Sequence, residues 1–271
     1  MLRRPPRSTL DRSSAASDVY KRQPHWNVFA AIAHAPAGPI GYIPATWVAN
    51  RGLAGVPAGT IPLPTHRLDR AAVRAICQNP ANPVLFGYAC AMAWGSQGAR
   101  PGGANHVAAA WNANAAIANR LSALRAGGLP RCAAYNLFLG AGAVPGLGPA
   151  YFTKLLYFFS PDPDFYIMDQ WTGKSMNLLT GKRIVRMSGV AVSNLNTCGS
   201  YQAYCEEIDA MAAMLGVMGD QIEEMMMSKG GRHPCPWRAH VRANWPHNAP
   251  TARYNRPAMY AAYPHIPLTC F

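Results

Sequence analysis

Between Gly148 and Ser160 the chain reads Pro-Ala-Tyr-Phe-Thr-Lys-Leu-Leu-Tyr-Phe-Phe, and no other segment constrains the fold as tightly. Pro149 opens the segment and Ser160-Pro-Asp-Pro-Asp breaks it, leaving room for about three helical turns. Tyr151, Phe152, Leu155, Leu156, Phe158 and Phe159 then cover most of the circumference, so no face of this helix suits water. Such a helix is stable only inside a shell of other elements, which places it at the centre of the fold. A chain of 271 residues, half of them hydrophobic, can supply that shell.

The shell reads as helical. From Pro24 to about Pro64, Gly and Pro interrupt small apolar residues and permit only short helical turns or a few extended segments. Leu68, Ala71, Ala72, Ala75 and Ile76 recur at helix spacing with Asp69 in the first turn. Further helices are predicted over 83–94, stopped by Gly95, over 106–126 after a Gly-rich loop at 98–105, and over 133–139. Asp169 sits where an N-cap begins a helix over 170–178. Residues 200–227 form an amphipathic helical pair with Gly216 and Gly219 between its halves. Few windows read as strands, and the expected architecture is all-α.

Residues 1–23 lack hydrophobic periodicity and resemble translated adaptor read-through, so they are set aside from the fold; the alternative is a native disordered basic arm. Residues 24–228 are expected to form the helical domain, with its hairpin at 140–160, and 229–271 a basic tail rich in Pro and aromatic residues. The net charge of +13 points to a polyanionic partner, nucleic acid or an acidic surface. Four of those charges lie in the first 23 residues, and the remainder is still basic. No run approaches the roughly 18 to 20 apolar residues of a membrane span, and the N-terminus lacks the apolar stretch of a secretory signal, so a cytoplasmic protein is expected. The seven cysteines (77, 90, 132, 198, 205, 235 and 270) form no CxxC pair and read as small buried hydrophobes rather than bridges or ligands.

Chemistry concentrates around Pro145-Gly146-Leu147-Gly148-Pro149. A glycine turn between helices lets the backbone approach a phosphate, while the next helix presents unpaired N–H groups and its positive dipole end. Gly146, Gly148 and Ala150 are the candidate phosphate contacts. Asp169 follows Gly148 by 21 residues, beyond the apolar helix and the buried run Tyr166-Ile-Met. Lys154 lies between Phe152 and Leu155, where desolvation favours the neutral, nucleophilic amine. The bland alternatives are a lysine that snorkels or binds phosphate, and an aspartate that only caps its helix.

This hairpin with its distant aspartate resembles the helix-hairpin-helix DNA glycosylase superfamily. The segment Gly148 to Phe159 together with Tyr166-Ile-Met-Asp169, Ala91-Met-Ala-Trp-Gly95 and the helical stretch 201–227 are similar to the prokaryotic OGG-like 8-oxoguanine glycosylase proteins. The resemblance covers residues 83–240, with its specific motif at 145–175. It implies a helical glycosylase fold, nucleoid-associated action as a monomer on double-stranded DNA containing a damaged base, and excision of an oxidised purine with no cofactor. It also implies Asp169 and Lys154 as the catalytic pair, with AP-lyase activity through the lysine. Lyases of the superfamily carry their lysine two residues after the second glycine, where this chain has Ala150; Lys154 stands one helical turn on, about 6 Å away. A non-catalytic helix-hairpin-helix DNA-binding protein is the alternative.

Trp94 and Trp171 are candidates for the base pocket, as is Trp111 for stacking, although tryptophan in a helical domain usually belongs to the core. Basic residues of the tail, Arg238 and Arg242 among them, either track a nucleic-acid backbone or belong to a mostly unstructured segment. His233, Cys235 and His240 match no compact zinc pattern, and no metal is expected.

Overall fold

A computed structural model describes residues 24–32, 34, 38–96, 106, 109–227 and 236–245. The chain enters through two short helices, α1 (Trp26–Ala30) and α2 (Pro44–Arg51), followed by α3 (Arg70–Gln78) and α4 (Val84–Gly95). Next come α5 (Asn114–Ala126), α6 (Arg131–Asn136), α7 (Pro149–Phe159) and α8 (Gln170–Thr180). A small hairpin, β1 (Met187–Ser188) and β2 (Ala191–Val192), precedes α9 (Cys198–Leu215), α10 (Gly219–Met227) and α11 (Pro236–Asn244). The fold is all-α apart from that antiparallel pair, in which Met187 faces Val192 and Ser188 faces Ala191.

The apolar helix is where its sequence requires it to be. Every residue of α7 from Phe152 to Phe159 is buried, and α3, α4, α5 and α6 pack around it. Helix α4, apolar on all sides, is its closest counterpart: Phe86 to Trp94 are all buried, and Trp94 meets Phe158 edge-on at 5.0 Å. Each large side chain so enclosed contributes about 1.5–3 kcal/mol relative to exposure. A second layer is built on α8, which packs against α10 and α11, while α9 packs on α6 and α10. No helix among the described residues is long and apolar enough to cross a membrane.

Helix ends follow local chemistry. Asp69 accepts the amide of Ala72 and caps α3 from just outside it, and Thr197 caps α9 through the amide of Ser200. Gly52, Gly181 and Gly216 close α2, α8 and α9 in the left-handed conformation.

The structure departs from the sequence reading in four places. The helix predicted over 106–126 is broken at Asn112-Ala113, because Trp111 is anchored in the core: its indole N–H donates to the Ala54 carbonyl at 3.0 Å, and its ring stacks on Tyr88. Trp111 therefore belongs to the core. Cys132 and Cys198, read as isolated hydrophobes, form a disulfide between α6 and α9; only the packing of those helices brings together two positions 66 residues apart. Cys77, Cys90 and Cys205 are free and buried as expected. The hairpin at 187–192 is too short to give a sequence signal. Finally, the basic tail contains a docked helix, since Trp237, Val241 and Trp245 recur every four residues and all three are buried. The Trp237 N–H donates to Ser175 Oγ of α8 at 2.9 Å. Residues 1–23, 98–105, 228–235 and 246–271, with His233, Cys235 and Cys270, lie outside the described residues.

Candidate active site

The turn at 145–148 forms one wall of a cleft of about 980 Å³ that also takes in the N-terminus of α7, the start of α8, the β2 segment and one residue of α11. Gly146 has φ +79°, and a Cβ there would lie 2.1 Å from the His106 carbonyl oxygen, so the position admits glycine alone. Gly148 is extended and caps α7; a Cβ there would meet Asn194 Oδ1 at 2.7 Å. Pro149 occupies the first helical position, where its missing N–H costs nothing. Among the described residues the amides of Gly148 and Ala150 have no acceptor, while those of Tyr151 and Phe152 bond to the Gly148 carbonyl. The helix thus offers two open donors to the cleft beside its positive dipole end.

Lys154 reaches the same cleft from the next turn of α7. It is 5 % exposed, its ammonium donates to the Ala150 carbonyl, and its Nζ stands 5.6 Å from the centre of the Tyr151 ring. Gly95, the last residue of α4, makes room for it: a Cβ at that position would lie 2.6 Å from Lys154 Cδ and 3.0 Å from Cε. Burial drives the amine's pKa below the ordinary lysine value; the carboxylates of Asp169 and Glu223 oppose this, and Arg70 reinforces it.

Asp169 lines the same cleft, close enough to act on the Lys154 charge. Its Oδ1 accepts the amides of Trp171 and Thr172 at 2.7 and 3.1 Å, and Thr172 Oγ1 accepts the Asp169 amide at 2.8 Å, completing a capping box. Capping therefore occupies one carboxylate oxygen, and Oδ2 has no hydrogen bond among the described residues. The approach to Asp169 is fixed by buried hydroxyls. Thr153 Oγ1 accepts the Met168 amide, Tyr201 donates to the Tyr166 carbonyl, and Tyr204 donates to that of Ile167. Thr153 and Lys154, adjacent on α7, thus do different work: one ties down the segment that carries the aspartate, the other lines the cleft within reach of its charge.

Both proposed pocket tryptophans line the cleft. Trp94 is only 1 % exposed and supplies a wall rather than a free face, and its indole N–H has no hydrogen-bond partner among the described residues. Trp171 is half-buried, and its ring is covered by cations, Arg238 at 4.2 Å, Lys174 at 4.8 Å and Arg242 at 5.6 Å.

Several participants gave no sequence signal as site residues. Gly95 reads as a helix stop, and Asn194 follows a hairpin too short to see. Behind Lys154, Arg70 of α3 and Glu223 of α10 form a buried ion pair, with the guanidinium 4.0 Å over the Tyr157 ring. Burial raises the Glu223 carboxyl to about 7 against the pull of Arg70. Among the described residues no group of His, Cys, Asp and Glu could hold a metal ion. His240 instead lies 2.9 Å from His25, ring nitrogen to ring nitrogen.

A family model described as "Putative 8-oxoguanine DNA glycosylase OGG-like protein" matches residues 33–227, which include the glycine turn, Lys154 and Asp169. Helix α11 lies beyond the matched residues. No curated protein and no solved structure matches the chain.

Proposed function

This chain belongs to the OGG-like 8-oxoguanine DNA glycosylase family, and from that premise we propose that it excises an oxidised purine from double-stranded DNA, acting as a monomer without cofactor. The observation that supports the reading is that a buried amine and a carboxylate with one oxygen free of hydrogen bonds among the described residues line one cleft, within electrostatic reach of each other, together with a glycine turn that carries open amides. The turn holds a backbone phosphate, and the damaged nucleotide rotates out of the duplex into the cleft. A cleft of about 980 Å³ is large enough for a nucleotide.

In the chemical step the neutral Lys154 amine forms a bond to C1′ as the bond from C1′ to the base nitrogen breaks. The base departs with the electron pair and takes up the proton that the attacking nitrogen sheds. Asp169 stabilises the positive charge that develops on the sugar. The C1′–O4′ bond then opens, O4′ takes a proton from water, and the result is a protonated Schiff base. Loss of a C2′ proton expels the 3′ phosphate and cleaves the strand.

Borohydride reduction of that Schiff base gives the test. Wild-type protein incubated with a duplex carrying one 8-oxoguanine is expected to form a covalent DNA adduct, and Lys154→Met to reduce it by a factor of 100 or more. An equal adduct in the variant removes Lys154 from the role. Base release without any adduct makes the protein a simple hydrolase in which Asp169 activates water. Tight DNA binding with neither product leaves a non-catalytic hairpin protein, the reading that the Lys154–Ala150 contact and the capping role of Asp169 would then explain.

A further inference from the structure

Three cations converge on one indole at the edge of the cleft. Arg238 reaches the cleft wall from α11 and donates to the carbonyl of Met227 at the end of α10. Its guanidinium lies 4.2 Å from the centre of the Trp171 ring, Lys174 Nζ lies 4.8 Å from it, and the exposed Arg242 5.6 Å. Lys174 is 1 % exposed and donates no hydrogen bond among the described residues. Asp169 is the carboxylate acting on it, while Arg238 and Arg242 both repel it. Burial and this repulsion together bring its amine down to about 8. Cations held this close by packing leave a local excess of positive charge that a bound anion would relieve.

We infer that the junction of α8 and α11 is a second phosphate site, in which Arg238 and Arg242 hold a phosphodiester of the strand whose nucleotide enters the cleft, with the buried Lys174 adding positive charge beneath them. The inference rests on the DNA reading given above. Geometry sets the role: Arg238 and the glycine turn line the same cleft from different elements, so two phosphates gripped there would fix the nucleotide's backbone at separate points. The helix that supplies both arginines is held by the buried Trp237 and lies outside the region matched by the family.

The test measures binding of the full chain to a duplex with a non-cleavable abasic-site analogue across a range of salt concentrations. Arg242→Gln and Arg238→Gln are each expected to weaken binding about tenfold and to lower the slope of log K against log salt by about one, whereas Arg238→Lys retains the slope. Arg242 is exposed, so its variant keeps the test valid even if loss of Arg238 disturbs the fold. In parallel, inorganic phosphate is titrated against the fluorescence component that Trp171→Phe removes. A wild-type duplex slope retained by folded Arg242→Gln and Arg238→Gln overturns the site and leaves the DNA reading standing. Protein that ignores duplex DNA yet responds to inorganic phosphate through Arg238 overturns the DNA reading and leaves an anion site for a free phosphate. No response to either removes both.

Discussion

At the scale of single residues, the proposed reaction depends on how Lys154 is held. Its stem passes through space left by Gly95, and the charged end is enclosed by protein, which lowers the pKa. Only the neutral amine attacks, so the rate of adduct formation rises with pH as the proton leaves. Because the pKa is lowered, that rise is expected to level off below the ordinary lysine value of about 10.4. Gly95→Ala probes the arrangement with little risk to the fold. The atoms its Cβ would strike belong to a flexible lysine stem, and alanine is favoured over glycine within a helix by about 1 kcal/mol. The variant is expected to keep wild-type thermal stability while single-turnover trapping falls at least tenfold. Its pH profile should also move upward as the displaced amine gains solvent. Unchanged yield and profile would show that the contact with Gly95 does not place the amine.

At the scale of elements, sequence pattern located the helices better than their partners. The central position of α7 followed from the residues that cover its circumference, and the capping of α8 by Asp169 from one side chain at one position. Both are local properties. Pairing is not local: the disulfide joins positions 66 residues apart, and α11 was hidden because its buried Trp237 and Val241, with Trp245 just beyond its end, are interspersed with Arg238 and Arg242 in a segment rich in Pro and aromatic residues. The site divides along the same line, since Lys154, Asp169 and the glycine turn lie on neighbouring elements, whereas Gly95 and Arg238 arrive from far along the chain. The disulfide closes a long loop between α6 and α9, and α6 lies just before the turn that borders the cleft. Such a cross-link typically stabilises by about 2–4 kcal/mol. Reduction, or Cys132→Ser, is therefore expected to lower the denaturation midpoint without changing the solvent-exposure slope much. Equal midpoints for oxidised and reduced protein would mean that the bridge carries no stability.

At the scale of the whole molecule, the question is whether affinity for DNA resides in the folded helices or in the basic ends of the chain. The first 23 residues hold a net four of the thirteen positive charges and the last 26 hold two, which leaves seven on residues 24–245. The three cations around Trp171 lie in that middle part, and the glycine turn would need no side-chain charge to bind the phosphate proposed for it. Loss of the ends should weaken long-range attraction, an effect that added salt screens, while the grip on a flipped nucleotide inside the cleft persists. A chain limited to residues 24–245 is thus expected to bind an undamaged duplex several-fold more weakly at low salt. It should keep its preference for a lesion-bearing duplex, and it should form the borohydride adduct at a comparable single-turnover rate. If the shortened chain folds yet loses both preference and adduct, the ends rather than the cleft recognise DNA, and the basic tail would have to enter the account of catalysis itself.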